Sequence, residues 1–477
     1  MTSQGILIDS EQQRIADAKR FKRIKILVPM QGLLSGSSTT LDGSYMNYFL
    51  TDIYHFPVAF TGLLSIVTVV LAWVVGPVFA AFSDRFRFKN SKFWPWPVMA
   101  FSVKHLALIA VMVLPAFSTA NTAVLAPVAF AIILVSRLTD KIGNVPVSGM
   151  APLITKSPAD RQFLAQSTKI GHEAGKAIWG YFVPLCLLAF TALAGDDRIK
   201  GFAISAIVLY AIGWTGPIVY ALFGIKGSYM EREAMKQTDE LKREKIPLSQ
   251  TMKVLFTNRP VLGMFLFFTL HKICFFIYTI YSISVYDHIF GHAEAVGTFL
   301  TIFSFASVAG VLCGRLWTKI FKDSKRSCVM AMVAHIVFTF FIAITFNKVS
   351  VNIFLVLIAF SSFFMGMLET WVSPLFTACA EYGSWKTGVT MNALVLSTSP
   401  LSVTTASALP PVIATALLRP DNYNHGLTLL FVWAPLFLAL AALMSLVLIF
   451  NLNDKKISQI QKDLSEGKVM ATSDITI

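Results

Sequence analysis

The sequence predicts an all-α membrane protein with about twelve transmembrane helices in two six-helix bundles. Hydrophobic residues make up 55% of the 477 residues and charged residues only 14%, whereas soluble domains carry about 25% charged residues. Apolar runs of about 20 residues recur along the chain, and a helix of that length crosses the hydrocarbon core of a bilayer. A large soluble helical protein is the alternative, and the number of these runs argues against it.

The basic residues behind the net charge of +14 cluster in particular loops. In a soluble protein this charge would suggest a nucleic-acid partner, but in a membrane protein it indicates which loops face the cytoplasm. The five cysteines lie in or beside apolar runs without metal-ligand or redox spacing, so we predict no metal site and no disulfide framework. The sequence contains neither the GxxxxGK[ST] pattern of ATP-binding loops nor a nucleophile–base arrangement. We therefore predict that the protein does not use ATP directly and is not an enzyme.

Twelve spans are predicted in order along the chain. Residues 1–25 are polar and basic and lack the apolar core of a signal peptide, so we expect the first span to be retained. The approximate spans are 26–50, 58–82, 95–117, 123–147, 163–194, 202–223, 260–285, 295–317, 328–346, 351–377, 389–416 and 427–451, followed by a polar tail, 452–477.

The polar segment 226–258 divides these spans into an N-terminal bundle, 26–225, and a C-terminal bundle, 259–451. Basic residues concentrate on the side of the N terminus, the middle segment and the tail, which places both termini in the cytoplasm. This layout is typical of a secondary transporter with the major facilitator fold, whose substrate site lies between the halves. The stretches GPVFAAFSDRFRFKNSK and GVLCGRLWTKIFKDSKR resemble each other and support an internal duplication.

Two groups of charged residues occur inside predicted spans. The first is Arg137, Asp140 and Lys141, and the second is Lys169, His172, Glu173 and Lys176. Their spacing puts each group on one face of a helix. Because a charge facing lipid costs several kcal/mol, we expect these faces to line a water-filled cavity or a partner.

Local ion pairs are the alternative to a functional role for these charges. Asp140 could pair with Arg137 or Lys141, or could take part in ion coupling. Glu173 could neutralise one of the two lysines of its own helix. His172 titrates near neutral pH and could relay protons, although a single membrane histidine is more often structural.

The seventh and tenth spans contain His271, Lys272 and Glu369. We predict a Lys272–Glu369 ion pair and treat both residues as substrate-binding candidates, with His271 as a coupling candidate. Adjacent residues on a helix point about 100° apart, so His271 and Lys272 are predicted not to face the same point. We expect a cytoplasmic gate or loop ion network from Asp84, Arg85, Glu381 and Lys386.

Three further residues are candidates for substrate binding. Asp42 lies about 16 residues into the first span, roughly 24 Å along the helix and beyond its centre. Tyr45 follows one turn later, and Trp371 lies in the tenth span. Either aromatic ring could stack on a sugar, and packing in the helix bundle is the alternative for both.

Several stretches resemble the glycoside–pentoside–hexuronide:cation symporter family, which includes melibiose permease. The resemblance covers nearly the whole chain and is carried by four motifs. These are YMNYFLTDIYHFP, VPVSGMAPLITKSPADRQFL, PLSQTMKVLFTNRPVLG and the most specific one, EYGSWKTG, which spans Glu381 to Gly388 in the predicted loop before the eleventh span.

The resemblance implies the fold and a sugar symport activity, but few of the family's site residues. The two second-helix aspartates that hold the cation align with Ala72 and Gly76, and the sugar-binding aspartate of the first helix aligns with Gly36. The fourth-helix aspartate aligns with Asn144, a substrate-binding candidate, and the fifth-helix arginine with Lys169, which keeps the charge. Three remaining sugar-site positions of the family align with Ser148, Glu369 and Thr404.

These observations predict a secondary active transporter that imports a sugar or sugar derivative. The cations Lys169, Lys176 and Lys272 suggest an anionic sugar acid. Because the second-helix carboxylates are missing, we expect proton coupling, with sodium as the alternative, and no other cofactor.

The resemblance implies a multi-pass protein of the bacterial inner membrane, and we expect a monomer. Two rival interpretations are a lipid or amphiphile transporter of the same fold, and a non-transporting membrane sensor that signals through 226–258.

Overall fold

The computed structural model describes residues 3–85, 88, 94–117, 122–154, 158–226, 258–346, 348–387, 395, 398–466 and 468. Long helices account for nearly all of them, which confirms the all-α fold class. The first helix, α1, runs through Ser3–Thr40, Leu41–Tyr45, Met46–Tyr48 and Phe49–Ile53, of which the second and fourth stretches are π-helical.

Eleven further long helices and one short one follow α1 among the described residues. They are α2 (Val58–Arg85), α3 (Pro95–Phe117), α4 (Thr122–Ile154), α5 (Pro158–Leu193), α6 (Arg198–Val219, with a π-helical end, Tyr220–Ile225), α7 (Arg259–His288), α8 (Val296–Phe321), α9 (Ser324–Thr345), α10 (Val351–Thr387), α11 (Thr398–Leu417), α12 (Tyr423–Thr428, Leu429–Trp433, Ala434–Met444 and Ser445–Ile449) and α13 (Asp454–Ser465).

Within the described part of the chain, ten helices are long and apolar enough, by length and composition, to cross a membrane. The other two long helices, α1 and α4, each carry charge inside the predicted span. Arg137, Asp140 and Lys141 interrupt the apolar run of α4 within five residues. Both of these helices carry candidate site residues, as do α5, α7 and α10.

The chain forms two compact units. One contains Met1–Pro57 and Val70–Arg243, and the other contains Val58–Val69 and Glu244–Ile477. The first unit thus holds α1, most of α2 and α3–α6, and the second holds α7–α13 and the beginning of α2.

Side-chain caps fix where several helices begin. Asp197 accepts a hydrogen bond from Lys200 N at the start of α6, and Asn258 accepts one from Val261 N at the start of α7. These side chains satisfy backbone N–H groups that the first helical turn leaves unpaired. The Lys200 N–H also lowers the pKa of the Asp197 carboxyl below its usual value.

Close backbone contact joins α1 to α5 in the first unit. Gly32 and Gly36 of α1 lie against Gly171 and Gly175 of α5. A Cβ added to Gly36 would lie 2.5 Å from Gly175 C, so only glycine fits there. Small residues spaced four apart are a common way for membrane helices to approach closely. The contact holds the charged residues of α1 and α5 in one unit.

Glycines also allow close helix contact between α8 and α10 in the second unit. A Cβ on Gly310 would overlap Phe363 O, and one on Gly314 would meet the side chain of Thr370. Ser362 Oγ donates to Phe303 O at 2.5 Å across this interface. Gly310 belongs to one of the two stretches that suggested an internal duplication.

Three helices extend about two turns or more beyond their predicted spans, and α1 begins as early as Ser3. α4 continues to Ile154, and α10 continues to Thr387. The family motif that begins at Glu381 was predicted as a loop, but Glu381 to Thr387 form the last turns of α10 because that stretch contains no proline. The middle segment, apart from its ends, lies outside the described residues.

Candidate functional site

A bidentate ion pair joins α1 to α4. Arg137 Nη2 lies 2.8 Å from Asp42 Oδ1, and Arg137 Nη1 lies 2.5 Å from Asp42 Oδ2. The planar guanidinium matches the carboxylate in this two-point geometry, which is stronger than a single contact. Asp42 was predicted as a substrate ligand, and in this structure its carboxylate is occupied by Arg137.

Asp140 pairs with a residue that the sequence analysis missed. Lys104 Nζ of α3 lies 2.7 Å from Asp140 Oδ1. Arg137 and Lys141, the partners considered for Asp140, also interact with it electrostatically, while the guanidinium of Arg137 makes its close contact with Asp42 of α1. Lys104 lies inside an apolar span, which is the same signal that identified the other charged candidates.

The charges of α5 form the predicted local pair. Lys176 Nζ lies 2.9 Å from Glu173 Oε1, so the alternative that Glu173 neutralises a lysine of its own helix is confirmed for Lys176. His172 lies close enough to Lys176, Glu173 and Lys104 for electrostatic interaction. Lys104 thus links the charges of α3 and α4 to those of α5.

These contacts define a first polar network inside the first unit. Its members are Asp42, Lys104, His105, Arg137, Asp140, Lys141, His172, Glu173, Lys176 and Tyr210. Tyr210 and His105 interact electrostatically with Asp42, and the buried atoms Tyr210 Oη and His105 Nε2 have no hydrogen-bond partner among the described residues. Unpaired polar groups of this kind are where water, a proton or a ligand group can bind.

A second polar network joins α7 to α10 in the second unit. Lys272 Nζ lies 2.7 Å from Glu369 Oε1, which confirms the predicted ion pair. His271 Nε2 lies 3.4 Å from the same oxygen. The prediction that His271 and Lys272 do not face one point is wrong. It used only the direction of the Cα–Cβ bonds, and the long lysine and glutamate side chains span the difference.

Aromatic rings lie against both Lys272 and His271. Lys272 Nζ lies 5.0 Å from the ring centroid of Phe275 and 5.5 Å from that of Phe268. The imidazole of His271 is stacked on Phe267, with centroids 6.1 Å apart. Ring faces stabilise positive charge at such distances, so this apolar site tolerates cations.

The family model described as MFS/sugar transport protein matches residues 32–454. The chain belongs to this family. It is therefore a sugar symporter of the major facilitator superfamily, a multi-pass membrane protein and not an enzyme, and the resemblance seen in the sequence is confirmed.

Similar proteins cover most of the chain at low identity. A relative named "Putative sulfoquinovose importer" from Escherichia coli (strain K12) is 24% identical over 483 aligned positions, which cover 95% of this chain and 96% of the relative. The isoprimeverose transporter of Lactiplantibacillus pentosus is 22% identical over 419 positions, covering 84% and 82% respectively. The crystal structure of a D-xylose–proton symporter is similar in fold, with a TM-score of 0.65, 12% identity, and coverage of 90% of this chain and 97% of that chain.

Two of the aromatic candidates lie in packed surroundings within this family fold. Trp371 is buried and its Nε1 donates to Thr318 Oγ1 at 2.8 Å, which ties α10 to α8. Tyr45 is also buried. These positions favour the packing alternative for both residues, although the buried Tyr45 hydroxyl has no hydrogen-bond partner among the described residues.

The remaining candidates lie at helix ends or outside the described side chains. Asn144 is exposed and donates to Asp140 O at 2.8 Å, one turn earlier in α4. Glu381 accepts a hydrogen bond from Gln461 of α13 at 2.9 Å. Lys386 lies in the last turn of α10. The side chains of Lys169, Asp84 and Arg85 lie outside the part of the structure that is described.

Proposed function

We propose that this sugar symporter imports an anionic sugar, such as a sugar acid or sulfonated sugar, and uses protons as its coupling ion. The composition of the first polar network supports an anionic substrate. Its described side chains include the cations Lys104, Arg137, Lys141 and Lys176 and the carboxylates Asp42, Asp140 and Glu173. An acidic group on the substrate would be attracted to these cations, because a charge inside a membrane is costly without an opposite charge nearby.

The relation to a protein named as a sulfoquinovose importer agrees with this proposal. Sulfoquinovose is a hexose that carries a sulfonate group, so a transporter for it has to accommodate a negative charge. The isoprimeverose transporter, by its name, handles a neutral sugar. The cations on α3–α5 favour the anionic of these two substrate classes for this chain.

The arrangement of carboxylates supports protons over sodium. From Val58 to Ser83, α2 contains no aspartate or glutamate. A hard cation needs several oxygen ligands, commonly including carboxylates. In the first polar network each of the three carboxylates is already within 3 Å of a lysine or arginine nitrogen. A carboxylate that is already paired in this way is not available as a sodium ligand, whereas the imidazole nitrogens of the neighbouring histidines can bind a proton.

Uptake into proteoliposomes tests this proposal. We expect radiolabelled D-glucuronate to accumulate when a proton gradient alone is imposed, and not with a sodium gradient alone. D-Glucose at the same concentration should compete weakly, because it lacks the carboxylate. Liposomes without protein provide the baseline.

The rival functions give different results in the same preparation. Saturable binding of a sugar acid without counterflow would indicate a sensor. Flux of lysolipid without flux of any sugar would indicate an amphiphile transporter. Accumulation that depends on sodium alone would contradict proton coupling.

The same proposal includes the orientation of the chain. The distribution of basic loops supports a cytoplasmic location of both termini in a bacterial inner membrane. Cysteine labelling at engineered sites in the tail tests this, because a reagent that does not cross membranes should label the tail only in inverted vesicles.

A further inference from the structure

One carboxylate oxygen in the second polar network is shared by two neighbouring side chains. Glu369 Oε1 lies 2.7 Å from Lys272 Nζ and 3.4 Å from His271 Nε2. One lysine already neutralises the carboxylate, so a positive charge on the imidazole would compete with Lys272 for the same oxygen. We propose that His271 binds the transported proton and thereby releases Lys272 from Glu369 to bind the acidic group of the substrate. This inference rests on the proton-coupled uptake of an anionic sugar proposed above.

The hydrogen-bond partners assign the proton positions of a neutral His271. Its Nε2 faces the Glu369 carboxylate, which accepts hydrogen bonds and does not donate them, so Nε2 carries the hydrogen. Its Nδ1 is then a bare acceptor, and it is buried without a hydrogen-bond partner among the described residues. The added proton binds at this nitrogen.

A second histidine, His335 of α9, also has a buried nitrogen without a partner in the described structure, Nε2. His335 Nδ1 lies 3.1 Å from both Ser361 O and Ser361 Oγ, so it can donate to the carbonyl or accept from the hydroxyl. His335 interacts electrostatically with His271, so a proton on one imidazole disfavours a second proton on the other.

The groups that act on His271 from neighbouring helices are few. Glu369 contributes from α10 and His335 from α9, and Lys272 lies on the same helix. α11, which packs along α7, has no titratable residue from Thr398 to Leu417. On α12, Tyr423 contacts His288, at the other end of α7. On α8, Arg315 and Lys319 are exposed.

Burial separates the proton-binding group from the substrate-binding group. His271 is 1% exposed, whereas Lys272 and Glu369 are 16% and 20% exposed. A solute can therefore reach the ion pair more readily than it can reach the imidazole. The rings stacked on His271 would also stabilise an imidazolium.

The exchange balances in charge. Before binding, Lys272 and Glu369 cancel and His271 is neutral. After binding, the protonated His271 cancels Glu369, and Lys272 cancels the acidic group of the sugar. One proton and one singly charged anion enter together, and no bond is broken apart from hydrogen bonds. Each ligand favours the state that the other needs, which is a reciprocal coupling.

Calorimetric titration of the purified protein with D-glucuronate between about pH 5.5 and pH 8 tests this coupling. The carboxyl of this probe is ionised throughout that range. For the wild type we expect the dissociation constant to rise with pH, by up to about tenfold per unit. His271→Asn should bind weakly and with little pH dependence, because Lys272 stays on Glu369. Glu369→Gln should bind tightly at every pH, because Lys272 is always available.

His292→Asn is the matched control. His292 also lies 3.4 Å from a glutamate, Glu294, but this pair is exposed in the turn between α7 and α8. We expect it to behave as the wild type does. The two site variants move the affinity in opposite directions, so misfolding cannot reproduce both results.

The outcomes separate this inference from the proposed function. A wild type whose affinity for D-glucuronate is independent of pH, and whose uptake ignores a proton gradient, contradicts both. A wild type that is coupled to protons, with the same pH dependence in His271→Asn and Glu369→Gln, overturns the inference alone.

Discussion

Cationic partners accompany the described carboxylates inside the two polar networks. The closest pairs are Asp42–Arg137, Asp140–Lys104, Glu173–Lys176 and Glu369–Lys272. Three of these pairs connect different helices, so they fix the helix arrangement as well as the charge. Breaking a buried pair leaves an uncompensated charge, whereas removing both partners together costs less.

Asp42→Asn should destabilise the protein because Arg137 loses its charged partner. Arg137 is about one-third exposed, so we expect about 1–3 kcal/mol rather than the cost of a fully buried pair. The measurement is the melting temperature of the detergent-solubilised protein. The double variant Asp42→Asn with Arg137→Gln should melt at a higher temperature than Asp42→Asn alone. A single variant that melts like the wild type would refute this account of the pair.

Residue spacing predicted some of these partners and missed others. The Lys272–Glu369 pair was predictable because both charges interrupt apolar runs. Lys104 was missed although it gives the same signal, because it stands alone in its span and forms no stripe. The partner of Asp140 depends on how α3 and α4 pack, and spacing within one helix does not contain that information. His271 and Lys272 both reach the Glu369 carboxylate because the lysine and glutamate side chains are long. The prediction considered only the direction in which each residue leaves the helix.

At the scale of helices, glycines determine which helix faces can pack closely against each other. The backbone contact between α1 and α5 places Gly36 against Gly175, and Trp179 Nε1 of α5 donates to Leu33 O of α1 at 2.9 Å. This interface lies between the helix of Asp42 and the helix of Glu173. The packing of the glycines thus supports the geometry of the first polar network.

Gly36→Ala should destabilise the first unit because its methyl group would lie 2.5 Å from the backbone of α5. Overpacking of this kind costs about 1–3 kcal/mol. Gly43→Ala, on the same helix, is the control, because a Cβ there meets nothing within 4 Å. We expect a lower melting temperature for the first variant only, and equal melting temperatures would contradict the close approach.

The short helix α13 docks on the ends of α9 and α10. Asp454 Oδ2 accepts from Ser324 N at 2.8 Å, and Trp385 Nε1 donates to Asp463 Oδ2 at 3.2 Å. Ile460 is buried, as one apolar face of an amphipathic helix should be. The amphipathic character of the tail was visible in the sequence, but its docking partner was not.

Ile460→Asp should release α13, since the carboxylate would be buried against apolar groups without a partner. Trypsin should then cleave faster at the lysines of this helix, which a timed digest followed by mass spectrometry can measure. Ser458→Asp, on the exposed face, should digest like the wild type. Faster cleavage in both variants would indicate that the helix is not docked through Ile460.

At the scale of the whole molecule, the fold was largely predictable because bilayer thickness fixes helix length. The predicted spans correspond to α1–α12, and their ends differ most where helices extend beyond the apolar run, as α4 and α10 do. The family was also predictable, from four sequence motifs. The substrate and the coupling ion were not predictable from the resemblance, because Ala72, Gly76 and Gly36 replace site residues of the family.

The measurement that tests proton-coupled transport of an anionic sugar most directly is the external pH of a weakly buffered proteoliposome suspension. Adding D-glucuronate without sodium should make the medium more alkaline at once, because protons enter with the sugar, and a protonophore should abolish the signal. If D-glucuronate enters only when sodium is present and the external pH does not change, the account is wrong.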